Sequence, residues 1–340
     1  MKINIYGSTG KIGTKTLSIL NNHFPQIKIN LLCANNNVEK LIRQTNLLSP
    51  KYIYLSNKNY IKKLKNNIKT KTTVLDYNEL ISYLAVSSSD YSILAISGYK
   101  SLYYLDSILK NTSSLGLVSK EAVVSAGHLF KKYNKSLRNK IYPLDSEHFS
   151  IFKFIKNKYK NLFLKNLTLT ASGGPFLGKK YSTLKNVTFK QACTHPKWKM
   201  GYKNSLDSAT LVNKCLEIIE AHYLFNIPFN NIKILIHPEA IIHSIVEKNN
   251  FVSNINLFKN DMNIPIYNFL NQSTKMKRII KTLEFNSYKS FNFYDVEYSN
   301  FPIYKYFKEL DKNDPINIIK FNVANEFAVE LFKNNLIKYT

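Results

Sequence analysis

Seven residues, Gly7 to Gly13 (GSTGKIG), constrain this chain more than any other stretch. They follow an alternating polar and apolar run at 2–6 and open a helical pattern that reaches residue 20. Glycines at 7, 10 and 13 permit a tight turn, let backbone approach a pyrophosphate, and seat that phosphate on a helix N-terminus. A second apolar strand at 27–34 and a helix at 38–47 come next, so the opening reads as a parallel, doubly wound sheet of the α/β class. Further strands are expected at 52–55, 91–96 and 115–118, and the first domain is expected to end near Asp145.

The end of the second strand sorts the cofactor. Dinucleotide sites that take NAD place an acid there to hold the ribose hydroxyls. This chain has Asn35, Asn36 and Asn37, with no acid before Glu39 and with Lys40 and Arg43 close by. Neutral donors beside two cations suit a 2′-phosphate, so NADP is expected over NAD.

Acids are scarce: 22 Asp and Glu stand against 48 Lys and Arg, a formal charge of +26, so any cluster of carboxylates needs a reason. The basic excess reads either as phosphate neutralisation in a nucleic-acid binder or as a general bias toward Lys, Asn, Ile, Tyr and Phe. The lysines are spread along the chain, and runs such as 61–71 read as solvated helix faces, which favours the second reading. Against that background YPLDSEHF at 142–149 sets Asp145 and Glu147 one residue apart around Ser146. The helical stretch SATLVNKCLEIIEA at 208–221 puts Asn213 and Glu217 on one face, with Lys214 adjacent and Ser208 at its start. Taken alone, Lys214 and Glu217 read as a surface ion pair. Together with Asp145 and Glu147, Glu217 completes three hard oxygen donors that suit one Mg²⁺ or Mn²⁺.

Cys33, Cys193 and Cys215 lie far apart, which argues against a disulfide framework or a zinc site and for a reducing compartment. No apolar run approaches the roughly 18 residues of a membrane span. A strand beginning at residue 2 leaves no room for a signal or transit peptide, so a cytoplasmic location is expected. Beyond residue 145 a second α/β region is expected: a strand at 167–171, a loop through Trp198, one long helix at 208–225 and a strand at 232–236. Past residue 291 the chain is weakly patterned until a helix at 325–334.

In these stretches the chain resembles the 1-deoxy-D-xylulose 5-phosphate reductoisomerase family. The similarity is carried by GSTGKIG, SKEAVVSAG at 119–127, LDSEHFSIF at 144–152, LTASGGPF at 169–176, HPKWKMG at 195–201, DSATLVNKCLEIIEA at 207–221 and IHPEAIIHSIV at 236–246. It implies isomerisation of 1-deoxy-D-xylulose 5-phosphate and NADPH-dependent reduction to 2-C-methyl-D-erythritol 4-phosphate, an early step of isoprenoid synthesis, with one divalent ion as Lewis acid. By resemblance, Asp145, Glu147 and Glu217 hold the metal, and Lys120, Asp145 and Glu147 carry the chemistry. Ser146 and Lys120 contact substrate oxygens, while Ser172, His195, Ser208, Asn213 and Lys214 hold the substrate phosphate. Trp198 and Met200 belong to a loop that closes over the site, and His243 matches the second histidine of the HPEAIIH stretch. Gly7, Ser8, Thr9, Gly10, Lys11, Ile12 and Gly13 form the cofactor-phosphate turn, Asn35, Asn36 and Asn37 read the ribose phosphate, and Ser119, Glu121 and Gly201 join the cofactor contacts.

The resemblance further implies an NADPH-binding domain at 1–145, a catalytic domain at 146–271, a linker at 272–299 and a shortened helical C-terminal domain at 300–340. It implies a homodimer, a small phosphorylated sugar as partner, and no nucleic acid or membrane. Lys11, Ser119, Cys215 and His222 depart from the family's usual residues, and none of them removes a proposed ligand. Cys215 reads as a small apolar filler. The competing readings are another NADP-linked dehydrogenase, which would need an activated cysteine and offers only Cys193 in a loop, and a basic nucleic-acid-binding protein, for which no motif is visible.

Overall fold

The computed structural model describes residues 1–130, 136, 140–156, 164–195, 201–248, 253–272 and 283–340. The chain packs into two compact units, and each is described by itself.

The first unit takes the described residues of Met1–Ala122, Lys131–Asp145 and Met262–Ile280. It alternates β1 (Lys2–Tyr6), α1 (Lys11–His23), β2 (Lys28–Ala34), α2 (Val38–Leu48), β3 (Tyr52–Leu55), α3 (Ile61–Asn67), β4 (Thr73–Leu75) and α4 (Tyr77–Val86). Then come β5 (Ser89–Leu94), α5 (Leu102–Asn111), β6 (Thr112–Leu117), the start of α6 (Lys120–Phe130) and β7 (Ile141–Pro143). The strands form one parallel sheet in the order β4-β3-β2-β1-β5-β6-β7. Helices cover both faces of such a sheet, so its strands are apolar almost throughout. Accordingly Ile3, Ile5, Leu31, Leu32, Ile53, Ile93, Leu115 and Leu117 are all fully buried. Strand order reverses at β1, and the crevice beyond the carboxyl ends of β1 and β5 is where such folds bind ligands. Gly7, the first residue after β1, stands there.

Residues 262–272 also belong to this unit. Their helix α11 (Asn263–Leu270) packs on α1, with Phe24 and Tyr267 ring centres 5.4 Å apart. Phe269 fits edge-on against Tyr91 and Tyr142, each at 5.4 Å. Aromatic packing of this kind decides the placement, and periodicity along one helix does not reveal its partner.

The second unit takes the described residues of Val123–Phe130, Ser146–Asp261 and Lys281–Thr340. It contains α7 (Ser146–Lys156), β8 (Leu164–Ala171), α8 (Phe189–Ala192), α9 (Tyr202–Ala209), α10 (Val212–Phe225), β9 (Ile232–Ile236), β10 (Ile242–Lys248), β11 (Ser253–Leu257), α12 (Pro302–Glu309) and α13 (Pro315–Lys333). Its sheet runs β11-β10-β8-β9; β8 and β9 are parallel, and the other two pairings are antiparallel. Helix α10 lies in the core, its Ile218 and Ile219 clustered with Leu167, Leu169, Phe307 and Ile318. Cys215 is one of these packed residues, fully buried as filler.

Two expectations change here. The single helix expected at 208–225 is two helices, α9 and α10, because Leu211 turns into the left-handed region at φ +69° while remaining buried. A buried leucine satisfies the apolar pattern through this break, so periodicity hides it. The helix expected at 325–334 begins at Pro315, where Asp314 accepts a hydrogen bond from the Ile316 amide at 2.9 Å and proline occupies the first turn. The cap marks that start, and the apolar spacing does not.

Candidate active site

In the glycine turn, the amides of Gly7 and Ser8 both donate to the Cys33 carbonyl at 2.9 Å, which ties the turn to the end of β2. Gly7 adopts φ +91°, and a Cβ there would fall 2.5 Å from the Ala95 carbonyl oxygen. A Cβ on Gly13 would meet the Gly7 carbonyl oxygen at 2.3 Å, so the first turn of α1 sits directly on the loop. Gly10 caps α1 without a side-chain hydrogen bond, and no acid lies in the helix's first turn. The Ser8 hydroxyl is fully buried and has no hydrogen-bond partner among the described residues. A cradle of main-chain amides with an unsatisfied hydroxyl and no competing carboxylate fits a phosphate. Gln44, which the sequence reading missed, donates to the Ser8 carbonyl at 2.9 Å and braces the turn from α2.

Asn35, Asn36 and Asn37 lie exposed at the end of β2. Asn37 caps α2 by accepting from the Lys40 amide at 3.0 Å, and Asn36 accepts from Asn57 at 3.1 Å. Thr9, Lys11 and Ile12 occupy the turn and first helical residues as expected. The Ser119 hydroxyl lies 2.9 Å from the Ser101 hydroxyl and 3.3 Å from a Glu121 carboxylate oxygen, so the candidate cofactor contacts Ser119 and Glu121 share one small network.

The carboxylates gather. Asp145 immediately precedes Ser146 at the start of α7, Glu147 lies in that helix's first turn, and Glu217 lies mid-way along α10. One oxygen from each of the three lies within 4.8 Å of the others. Glu217 is buried and the other two are partly buried. Two ammonium groups balance them: Lys120 Nζ is 2.5 Å from Asp145, and Lys214 Nζ lies 2.5 Å from Glu147 and 2.7 Å from Glu217. Lys214 therefore makes no surface ion pair; its side chain is 8% exposed and bridges Glu217 to Glu147, which lies 67 residues before Lys214 in sequence. Asn213 donates to Glu217 at 2.5 Å, and the Ser146 hydroxyl donates to Glu147 at 2.6 Å. Several carboxylates this close cannot all stay ionised without cations, and hard oxygen donors of this number fit Mg²⁺ or Mn²⁺.

Two histidines stand behind the cluster. His243 stacks on Phe258 at 4.0 Å, bonds the Phe258 carbonyl through Nε2 at 3.2 Å and faces Glu147 at 4.0 Å. His148, also missed, is completely buried between the Glu217 carbonyl at 3.0 Å and Glu220 at 3.3 Å. Its place directly after Glu147 in SEHF was the available signal.

Of the expected phosphate residues, Ser172, His195 and Ser208 lie around the Gly173–Gly174 turn, while Asn213 and Lys214 contact the carboxylates. The Ser172 hydroxyl is 3.0 Å from His195 Nε2 and accepts from the Gly174 amide at 3.3 Å. A Cβ on Gly174 would lie 2.8 Å from the Ser208 carbonyl, which places the end of α9 against the Ser172 turn. Burial, helped by the positive charge of Lys214, pushes the His195 pKa down to about 4. Its ring is therefore neutral near pH 7. Gly201 caps α9, while Trp198 and Met200 lie outside the described residues. Cys193 offers no activated thiolate, since burial and Asp207 push its thiol pKa up and Sγ lies 3.6 Å from the Tyr202 carbonyl. That removes the cysteine-dependent dehydrogenase reading. No helix among the described residues is long and apolar enough to cross a membrane.

The family model of 1-deoxy-D-xylulose 5-phosphate reductoisomerase matches residues 3–127, and models of its C-terminal domains match 141–225 and 257–340. The chain is similar to the 1-deoxy-D-xylulose 5-phosphate reductoisomerase of Pelagibacter ubique, at 36% identity across 99% of this chain and 88% of the relative. It is 37% identical to that of Clostridium kluyveri across 99% and 89%. Among solved structures it is similar to a DOX-P reductoisomerase in complex with NADPH, fosmidomycin and magnesium, with TM-score 0.90 and 30% identity over 100% of this chain and 86% of that one. The Zymomonas mobilis enzyme in complex with NADPH gives TM-score 0.88 at 28% identity over 99% and 88%. With three family models spanning most of its length, and with full-length relatives above 35% identity, the chain belongs to the 1-deoxy-D-xylulose 5-phosphate reductoisomerase family.

Proposed function

We propose that this chain carries out the family's reaction, the NADPH-dependent conversion of 1-deoxy-D-xylulose 5-phosphate into 2-C-methyl-D-erythritol 4-phosphate, with Asp145, Glu147 and Glu217 holding one Mg²⁺ or Mn²⁺. The observation that carries this reading is the cluster of three carboxylates within 4.8 Å of one another. When bound, the divalent ion supplies Lewis acidity to neighbouring substrate oxygens and NADPH supplies the hydride.

This chain's own residues bind and orient. Lys120 Nζ, held at 2.5 Å by Asp145, keeps donors and positive charge at the carboxylate cluster, where they can hydrogen-bond a substrate oxygen. Ser146 Oγ, now on Glu147, can rotate to a substrate hydroxyl. Lys214 neutralises Glu147 and Glu217 here and would turn to the substrate phosphate once those carboxylates are otherwise balanced. Neutral His195 presents a ring nitrogen beside Ser172, so with Ser208 and Asn213 it adds hydrogen bonds to that phosphate and no further charge. The Gly7–Gly13 turn holds the cofactor phosphates, and Asn35, Asn36 and Asn37 take the ribose phosphate, with Ser119, Glu121 and Gly201 as further cofactor contacts. Trp198 and Met200 are assigned the exclusion of water. The proposal extends to a homodimer and to a cytoplasmic location, the latter supported by free cysteines that suit a reducing compartment.

The test is NADPH oxidation followed with 1-deoxy-D-xylulose 5-phosphate in metal-free buffer and after addition of Mg²⁺ or Mn²⁺. Turnover is expected only with both substrate and metal present. Full turnover without metal, or none with everything present, contradicts the reading.

A further inference from the structure

Helix α9 follows its N-cap Gly201 and carries Ser208 of the phosphate corner in its last turn. Eight residues without a side-chain N-cap cannot hold a helix by themselves, so neighbours must place it. On one side it rests on the Gly173–Gly174 turn. On the other it rests on α13 and the tail behind it. Leu206 and Ala209 pack with Val329, Phe332 and Phe176. Asn325 Nδ2 donates to Asp207 Oδ1 at 3.0 Å, and Lys203 Nζ sits 2.6 Å from Asp207 Oδ2. The Tyr339 hydroxyl donates to the Ala209 carbonyl at 2.9 Å. Asp207 is 1% exposed, so removing one partner leaves a buried carboxylate oxygen unsatisfied, which costs more than the hydrogen bond itself. The two flanking residues of Ser208 are thus both gripped by the C-terminal segment, and Ser208 Oγ is left on the Asn204 carbonyl at 2.8 Å.

We propose that α13 is a positioning element for substrate phosphate, with Asn325 acting through Asp207, and Tyr339 through the Ala209 carbonyl, to set the place of Ser208. This rests on the reading of Ser208 as a phosphate contact. A merely structural role for α13 would lower the melting temperature and the active fraction while leaving KM alone. A positioning role raises KM for the phosphorylated substrate and spares kcat and NADPH binding.

The experiment is a double-mutant cycle of Asn325→Ala and Ser208→Ala, read as KM and kcat in the metal-loaded enzyme together with the NADPH Kd. Asn325→Ala is expected to raise KM by about tenfold, with kcat and NADPH Kd within about twofold of wild type. Added to Ser208→Ala it should cost less than about twofold more, because both act on one contact. If Ser208→Ala raises KM and Asn325→Ala does not, or if the two effects multiply fully, the positioning role is wrong and the phosphate reading stands. If Ser208→Ala itself leaves KM unchanged, the phosphate reading fails and this inference with it. Should Asn325→Ala fail to fold, Tyr339→Phe deletes only the hydroxyl on Ala209; a rise in KM of about threefold supports the proposal, and no rise overturns it.

Discussion

The turn at Gly7–Gly13 and the cluster around Asp145, Glu147 and Glu217 solve different problems with different materials. The turn offers main-chain amides, a tight approach at Gly13 and one unsatisfied hydroxyl, and it brings no carboxylate of its own. Its shape is set when the sheet folds, and its cost is the conformational freedom that glycine loses. The cluster brings three carboxylates and two ammonium groups into partly buried ground, where desolvation costs several kcal/mol per ion. Such a network is a poor way to hold a fold together. It is a good way to keep a site that accepts a cation and an anionic substrate by exchanging partners. A site read by main chain is written in one contiguous stretch, whereas a site read by charge is assembled from segments that never meet in sequence.

If the two regions are as independent as this comparison says, substitutions should separate them. The largest effect is expected for Glu217→Gln, which removes one hard ligand and leaves Lys214 and Asn213 with a weaker partner. Turnover should fall by about 10²-fold or more while the NADPH Kd stays within about twofold, because ligand loss withdraws several kcal/mol of charge stabilisation from the chemistry alone. An equal loss of NADPH affinity would show that the two regions are coupled. Next comes Gly13→Ala. Its Cβ would stand 2.3 Å from the Gly7 carbonyl, so the turn must shift. The NADPH Kd should rise by about tenfold or more, since main-chain phosphate contacts depend on sub-ångström placement, and Mn²⁺ affinity should not change. An unchanged NADPH Kd would break the main-chain side of the comparison.

The smallest effect concerns His195. Its folded pKa of about 4 lies below the ordinary 6.5, so the unfolded chain binds the proton more readily between those values. The associated stability is complete above pH 6.5 and is lost as pH falls toward 4. His195→Asn should therefore show a shallower loss of stability over that window. Parallel pH profiles for the two proteins would contradict the assignment.

Legibility in the sequence followed the same division. Strands β1 to β3, the glycine turn and α2 were readable because each signal lies within a few neighbouring residues. Asp145 and Glu147 stood out because acids are rare and only Ser146 separates these two. The bridge from Lys214 to Glu147 was not readable, since 67 residues separate them and a three-residue spacing to Glu217 looks like any surface pair. The break at Leu211 was hidden because a buried leucine continues the apolar pattern through a left-handed turn. Asp207 gave no signal either, as its partner Asn325 is 118 residues away. The placement of α11 against α1 is likewise a matter of aromatic packing across the chain.

The claim on which the account turns is that the carboxylate cluster is a divalent-cation site independent of the cofactor turn. The direct measurement is a titration of metal-free protein with Mn²⁺, followed by the paramagnetic resonance of the free ion. One strongly bound Mn²⁺ per chain is expected in the wild-type protein and in Gly13→Ala, and a loss of binding in Glu217→Gln. Binding by Glu217→Gln as tight as that of the wild type, or no binding by the wild type, would contradict it.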